Sequence, residues 1–510
     1  MLFRPDDHDP RKTAVVVPST GRTVSYGELV DRSTQFANLL HRRGLRPGDH
    51  VAILMTNTAE YFEVVWGARR SGSYYTAVNW HLTPAEVRYI LQNSQARALV
   101  VSDDLAALAD EAARGLPGLR LIVGGEREGW ERYEDAIAGI PTEREAPDLE
   151  GQAMLYSSGT TGRPKGIVHG PVDFGRAFGD ITGDMLWTNR YDMGPGTVSL
   201  TSGPLYHAAP LVSSMATHRY GGLVVLLPRF DALEALKAID RYRVTHAQIV
   251  PTMFVRLLRL PADVRDAYDV SSLEAVAHSA APCPVDVKRR MLEWWGPVIW
   301  EYYSATEAAG HVSIGPEEWL EHPGSVGKPR EGTVAIADED GRALPTGEDG
   351  TIWFTDPAKR FRYHNDEQKS ASMYNADGWA RMGDVGHLDA DGYLYVTGRS
   401  DDMIISGGVN IYPRETEDVL IGHPAIDDVA VIGTPDPEFG ESVLAVVTIQ
   451  SGFTPSDALA QDIIAWTRDR IAHYKCPRAV RFVDELPRSV AGKMMKHRLT
   501  AAGAPRQSRQ

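Results

Sequence analysis

Residues 25–43 place Tyr26, Leu29, Val30, Phe36, Ala37 and Leu40 at three-to-four spacing with polar residues between them. That period predicts an amphipathic helix, because side chains three and four apart share one face. Gly44 and Pro47-Gly48 stop it. Residues 51–55, 98–102 and 222–227 are short continuous apolar runs, the pattern of strands buried on both faces. Apolar strands alternating with helical periods over the first 230 residues predict an α/β fold whose sheets are covered on both sides. Asp231, with Glu234 three residues on, reads as a capping box opening a helix through Ile239, not as a substrate contact.

The texture changes after about residue 325. Residues 333–355 and 379–397 give short strand-like pieces between turn signals such as Glu348-Asp349-Gly350, which predicts a β-rich subdomain over about 325–400. Beyond Gly398-Arg399 the pattern restarts, with strands at 429–432 and 444–449 and a helix near 456–472. The expected organisation is a large N-terminal domain, 1–400, and a small α+β domain, 401–510.

Composition narrows the function. The chain has 510 residues, 53 basic and 68 acidic, for a net charge of −15. An acidic chain without a basic cluster is a poor partner for nucleic acid. The two cysteines, Cys283 and Cys476, are too few for a disulfide framework or a cysteine zinc site and are expected as reduced thiols. The N-terminus shows no secretory h-region, and apolar runs such as 223–227 fall far below the ~20 residues that span a bilayer. The expectation is therefore a cytoplasmic protein with no integral membrane segment. A homodimer is left open.

The chemistry starts at residues 156–166, YSSGTTGRPKG. Its glycines permit close backbone approach, its hydroxyls can bond anionic oxygens, and Lys165 adds charge; together these suit a polyphosphate cradle. The string is not a Walker A loop, which needs Gly-Lys-Ser/Thr at its end.

This string resembles the phosphate-binding signature of the adenylate-forming superfamily: acyl-CoA synthetases, 4-coumarate–CoA ligases, peptide-synthetase adenylation domains and firefly-type luciferases. The resemblance spreads over nearly the whole chain. Residues 203–207 (GPLYH), 279–282 (SAAP), 301–307 (EYYSATE), 378–384 (GWARMGD), 398–412 (GRSDDMIISGGVNIY) and 487–493 (PRSVAGK) match further motifs in order. Ser304 stands where Gly is usual and Met382 where Thr is usual. Within the superfamily the chain looks most like bacterial fatty-acid–CoA ligases.

The resemblance implies ATP, Mg2+ and CoA as cofactors and co-substrates, and a small-molecule carboxylic acid as substrate. It assigns the ATP phosphates to Ser157, Ser158, Gly159, Thr160, Thr161, Gly162 and Lys165. It places adenine and ribose against Ala280, Ala281, Pro282, Glu301, Tyr302, Tyr303, Ser304, Asp384 and Arg399. Glu307, with Thr160, is expected to hold Mg2+, since a hard cation takes oxygen ligands; Thr306 is expected at the α-phosphate. Lys493 is expected to meet the charge that builds between carboxylate and α-phosphate. His207 is expected to gate the acid pocket or polarise the carboxylate. Asp401 is the implied hinge. Ser406, Gly407 and Gly408 are expected to face the thiol, with Phe439 and Lys475 at the CoA nucleotide.

The implied reaction is formation of an acyl-adenylate followed by thioester formation with CoA, on a fatty or aryl acid. Transfer to a carrier protein or amine, or activation of a small oxyanion, would leave almost the same sequence, and a non-catalytic nucleotide-binding protein is the reading of another class. An amino acid is disfavoured because residues 203–207 carry no Asp to pair an ammonium. The small residues Ala305, Ala308, Ala309 and Gly310 allow an open tunnel for a long chain, or space that large side chains from elsewhere fill.

Overall fold

A computed structural model describes residues 4–158, 164–170, 173–180, 190–338, 341–406, 409–488 and 494–500. Within these residues, the expected α/β architecture is present. One sheet is wholly parallel, its strands lying in the order Glu131–Arg132, Leu119–Val123, Ala98–Ser102, His50–Leu54, Tyr74–Ala77 and Gln152–Ala153. A second, mixed sheet runs His311–Ile314, Ile299–Ser304, Ala275–His278, His246–Ile249, Val198–Thr201, Leu223–Leu226, Thr13–Val17 and Arg22–Ser25. Central strands such as His50–Leu54 and Ala98–Ser102 are buried along their whole length, which is why they read as unbroken apolar runs.

The first predicted helix is Tyr26–Arg42. It begins where the Ser25 side chain accepts the Glu28 amide, a satisfied N-cap. Tyr26, Leu29, Phe36, Ala37 and Leu40 are buried, whereas Val30 is half-buried at the edge of the stripe. Each fully buried Leu or Phe is worth roughly 1.5–3 kcal/mol of transfer free energy. The helix at 232 also forms, over Ala232–Tyr242, longer than expected. Asp231 caps it by accepting from the Leu233 and Glu234 amides. The reciprocal half of the box is absent because Glu234 turns outward to pair Lys237 at 2.8 Å.

Two further sheets frame the site. Phe361–Tyr363, Pro164–His169 and Tyr156–Ser158 make a small antiparallel sheet. Val334–Ala337, Gly350–Phe354, Ala380–Leu388 and Leu394–Arg399 make another. After a short turn at Ser400–Asp402, the strands Val409–Ile411, Ile404–Ser406, Gly440–Ile449 and Ile426–Asp436 form the last sheet, with Ala479–Phe482 parallel to Gly440–Ile449. The helices Pro413–Leu420 and Asp457–Arg468 belong to this sheet's core. The strands at 429 and 444 are longer than their apolar stretches suggested, because a long two-stranded ribbon carries polar residues at its outer end.

Candidate active site

The second sheet brings its parallel strands to a common C-terminal edge, and ligands of α/β sheets bind at such edges. There the chain leaves Ala275–His278 into residues 279–282, and Ile299–Ser304 turns back through 305–310 into His311–Ile314. Ala280 and Ala308 both sit at left-handed backbone angles, φ 73° and 47°. Such angles are costly for any residue with a Cβ, and here they fall in the two loops that the sequence marks for the nucleotide. Ser304 explains its own departure from Gly: its hydroxyl donates to the Gly310 carbonyl at 2.7 Å and closes the 305–310 loop.

Alternation along Ile299–Ser304 sends Glu301 and Tyr303 to one face and Trp300 and Tyr302 to the other. Tyr303 donates to Asp384 Oδ2 at 2.7 Å, and Arg399 Nη1 donates to Asp384 Oδ1 at 2.8 Å. Asp384 and Arg399 are cross-strand partners in the second antiparallel sheet. Asp384 is thus a mid-strand carboxylate, not a turn residue. Burial and the Asp384 carboxylate push the Tyr303 phenol well above its ordinary range, so it stays a donor. A carboxylate offers about four lone-pair sites, so Asp384 keeps capacity for a diol. One ring face of Tyr303 stacks on Phe354, centroids 5.7 Å apart at 27°.

Glu307 is the second focus. Tyr363 donates to Glu307 Oε1 at 3.0 Å, and Lys165 Nζ lies 5.3 Å from the Tyr363 ring centroid. Burial and the nearby Lys369 pull the Lys165 ammonium below its ordinary value, against the opposing carboxylates of Asp366 and Glu307. Lys165 pairs with Ser157 across the Tyr156–Ser158 and Pro164–His169 strands. Gly166 is required here: a Cβ would sit 2.9 Å from Tyr156 Cζ. Gly159, Thr160, Thr161 and Gly162 lie outside the described residues, as do Gly407, Gly408 and Lys493. Oxygen ligands from Glu307 suit Mg2+, and the part-exposed position beside a lysine suits a metal–phosphate pair.

His207 precedes the helix Ala208–Arg219. Its Nε2 is buried without a hydrogen-bond partner. Burial, with His81 adding to it, holds the ring pKa at about 4. At neutral pH it is an uncharged imidazole with an unused polar atom at the sheet's ligand edge.

Two of the expected residues have side-chain partners that the sequence did not show. Glu301 Oε2 meets Lys288 Nζ at 2.8 Å and His278 Nε2 at 3.5 Å, all three buried. The cause is its partner in the register, His278 on the neighbouring strand, and the helix Val285–Trp295 that carries Lys288 beneath the sheet. Tyr302 has side-chain partners of its own. It points to the opposite face, where its hydroxyl bonds Ser279 and Gln248 and its ring stacks on His311 at 5.3 Å.

The chain matches the AMP-binding enzyme family over residues 2–360 and that family's C-terminal domain over 415–493. It belongs to the AMP-binding enzymes. It is similar to a feruloyl-CoA synthase of Amycolatopsis sp., 35% identical over 488 residues, covering 95% of this chain and 94% of that protein. It is also similar to a fatty acid–[acyl-carrier-protein] ligase of Streptomyces coeruleorubidus, 30% identical and covering 96% and 93%. Among solved structures it resembles an anthranilate CoA ligase in complex with anthranoyl-AMP, at a TM-score of 0.86, 30% identity and coverage of 97% and 94%.

On the C-terminal side of this AMP-binding enzyme, Ser406 ends the strand Ile404–Ser406 and pairs with Gly440. Phe439 lies under Arg478, whose Cζ is 4.0 Å from the ring centroid. Lys475 is ion-paired to Glu415. Asp401 sits in the Ser400–Asp402 turn that joins the two sheets. Arg478 and Tyr363 escaped the sequence reading. Neither belongs to a glycine- or hydroxyl-rich motif, and each becomes visible only when a distant strand or loop brings it to an expected residue.

Proposed function

We propose that this AMP-binding enzyme is an acid–CoA ligase that makes an acyl-adenylate and then a thioester, working at the edge where Tyr303, Asp384, Arg399, Glu307 and Lys165 meet. The observation that carries it is the pair of side-chain sets gathered around Tyr303 and Glu307, Tyr303–Asp384–Arg399 and Glu307–Tyr363–Lys165. The first has the chemistry for a nucleoside, with a flat face, a carboxylate for hydroxyls and a fork donor. The second has the chemistry for phosphates. Glu307 with Thr160 would hold Mg2+, which neutralises phosphate charge when bound.

In the first half-reaction, a carboxylate oxygen bonds to the α-phosphorus as the bond to the β-phosphate oxygen breaks, and pyrophosphate leaves. Thr306 and Lys165 bind phosphate oxygens, Lys493 meets the charge between carboxylate and α-phosphate, and neutral His207 offers its buried Nε2 to the acid. The protein's work is positioning and charge complementarity. In the second, the CoA thiolate attacks the acyl carbon and AMP leaves. Rotation at Asp401 brings Ser406, Gly407 and Gly408 to the site, with Phe439 and Lys475 at the CoA nucleotide. We place the enzyme in the cytoplasm; among the described residues no helix is long and apolar enough to cross a membrane.

The similarity to a carrier-protein ligase favours one second reading, in which a phosphopantetheinyl carrier replaces CoA. Pyrophosphate release across aliphatic and aromatic acids, with CoA or a loaded carrier, tests both. We expect release with an acid and ATP, and AMP turnover that needs CoA. Full turnover without CoA, or normal adenylation by Lys493→Ala, would refute the scheme.

A further inference from the structure

We infer that His50 and His364 form a binding site for a zinc ion behind the phosphate hairpin, distinct from the Mg2+ expected at Glu307. The two rings meet with centroids 5.7 Å apart at 45°. His50 opens the strand His50–Leu54, and the register sets it beside Tyr74, on whose ring it stacks at 4.5 Å. It is 9% exposed, and its Nδ1 is buried without a hydrogen-bond partner. His364 follows the strand Phe361–Tyr363 and is half-buried, and its Nε2 is likewise buried and unpartnered. Its other nitrogen donates to the Asn93 carbonyl, which leaves Nε2 as a bare lone pair. An imidazole that gives one N–H to a backbone carbonyl and keeps the other nitrogen free is in the arrangement of a metal ligand.

The spacing suits one shared ion. With Zn–N bonds of about 2.0–2.1 Å and a ring radius of about 1.2 Å, an ion lies about 3.2 Å from each centroid. Rings 5.7 Å apart then share it at about 125°, an opened tetrahedral angle. Burial and His364 hold the His50 ring pKa at about 4 against the pull of Asp49, and burial keeps His364 below its ordinary value. Both rings are neutral at pH 7, the form that binds a metal. Asp49 offsets the charge of an ion there, and Arg362 opposes it. Among the described residues no third His, Cys, Asp or Glu joins the pair, so water completes the shell. Imidazole nitrogens select zinc over Mg2+, which takes oxygen. The site also has a reach. The His364 amide donates to the Gly166 carbonyl at 2.7 Å, and Tyr156 donates to Asn93 Oδ1 at 2.6 Å. An ion between His50 and His364 therefore ties the first sheet to the hairpin that carries Lys165.

The test is calorimetric titration of the EDTA-stripped full chain with Zn2+, and Cu2+ electron paramagnetic resonance to count the nitrogens bound. It uses wild type, His50→Phe, which keeps a ring on Tyr74, and His364→Ala, which changes a half-exposed side chain and serves if His50→Phe does not fold. His322→Ala is the control, because His322 with Asp389 and Asp391 is the other group of metal-ligating side chains gathered among the described residues. Wild type should bind one Zn2+ ahead of all others, and one equivalent of Cu2+ should show splitting from two nitrogens. His50→Phe and His364→Ala should each weaken that first event by about 10- to 100-fold or more, at least the cost of losing a ligand's supporting partner, whereas His322→Ala should leave it unchanged. Zn2+ at about a hundredfold over its Kd should raise Tm by roughly 2–5 °C in wild type and in neither His50→Phe nor His364→Ala. Binding that those two variants leave intact overturns the inference, as does a first event that only His322→Ala abolishes. A Cu2+ spectrum with one nitrogen, or no Zn2+ bound by wild type at millimolar concentration, overturns it too. None of these outcomes depends on which acid the enzyme activates.

Discussion

Replacing Lys288 by Met should cost more stability than any surface change, and the cost should shrink as the solution is acidified. Lys288 and Glu301 are 2.8 Å apart with side-chain exposures of 0% and 6%. At an effective dielectric near 20, the gross attraction at that distance is about 6 kcal/mol. Desolvating both ions offsets much of it, so the intact pair contributes little net, whereas removing one partner strands a buried charge and costs about 3–5 kcal/mol. In wild type, burial pushes the Glu301 carboxyl up, but the Lys288 ammonium and His278 pull it further down, leaving it below its ordinary value. In Lys288→Met the largest opposing charge is gone, so burial outweighs what His278 and Arg414 still contribute and the carboxyl rises above its unfolded value. A raised carboxyl gives stability that is present below the unfolded value and lost as pH rises through the folded one. The variant should therefore be weakest at neutral pH and close on wild type toward pH ~4. Native-state hydrogen exchange of amides in Ile299–Ser304 and Ala275–His278 reads this locally. The opening constant at pH 7 should rise roughly 10²–10⁴-fold. The double variant Lys288→Met/Glu301→Gln should recover most of that loss, since no charge is left unpaired. A single variant within about 1 kcal/mol of wild type, a gap independent of pH, or a double variant as weak as the sum of the two single ones would refute the reasoning.

Three further outcomes are expected. His218 is fully buried, and Trp66 Nε1, which can only donate, gives its proton to Nδ1, so Nε2–H must donate to the Ala14 carbonyl; burial holds the ring pKa at about 3. With the folded value below the unfolded one, stability is full above pH ~6.5 and falls by up to about 1.4 kcal/mol per unit as pH drops toward ~3, a slope that melting curves should find shallower in His218→Gln. Gly310→Ala forces its Cβ into Phe354 and should cost about 1–3 kcal/mol by overpacking, read in thermal denaturation, with activity reduced because the 305–310 loop must shift. Asp384→Ala leaves Tyr303 and Arg399 without their shared carboxylate; losing a charged hydrogen-bond partner is worth about 1.5–3 kcal/mol, so kcat/KM for ATP should fall about 10- to 100-fold while KM for the acid changes little.

The sequence by itself determined the alternation that makes an α/β fold, the Asp231 helix cap, and the motifs that mark the family. Those properties live in short windows: a period of 3.6, an Asp at 231 just ahead of a helical period, a Gly-rich string next to a lysine. What the tertiary structure decided is what each residue touches. Glu301 and Tyr302 are adjacent in one motif, yet strand alternation sends one to Lys288 and His278 and the other to Gln248 and Ser279. Tyr363, in a stretch with no motif, reaches Glu307 only because its strand pairs with Pro164–His169. Small residues at 305–310 left the acid pocket's size undetermined in one dimension, because the volume beside a glycine belongs to whichever side chain folds onto it, and here that is Phe354 from a sheet forty residues away.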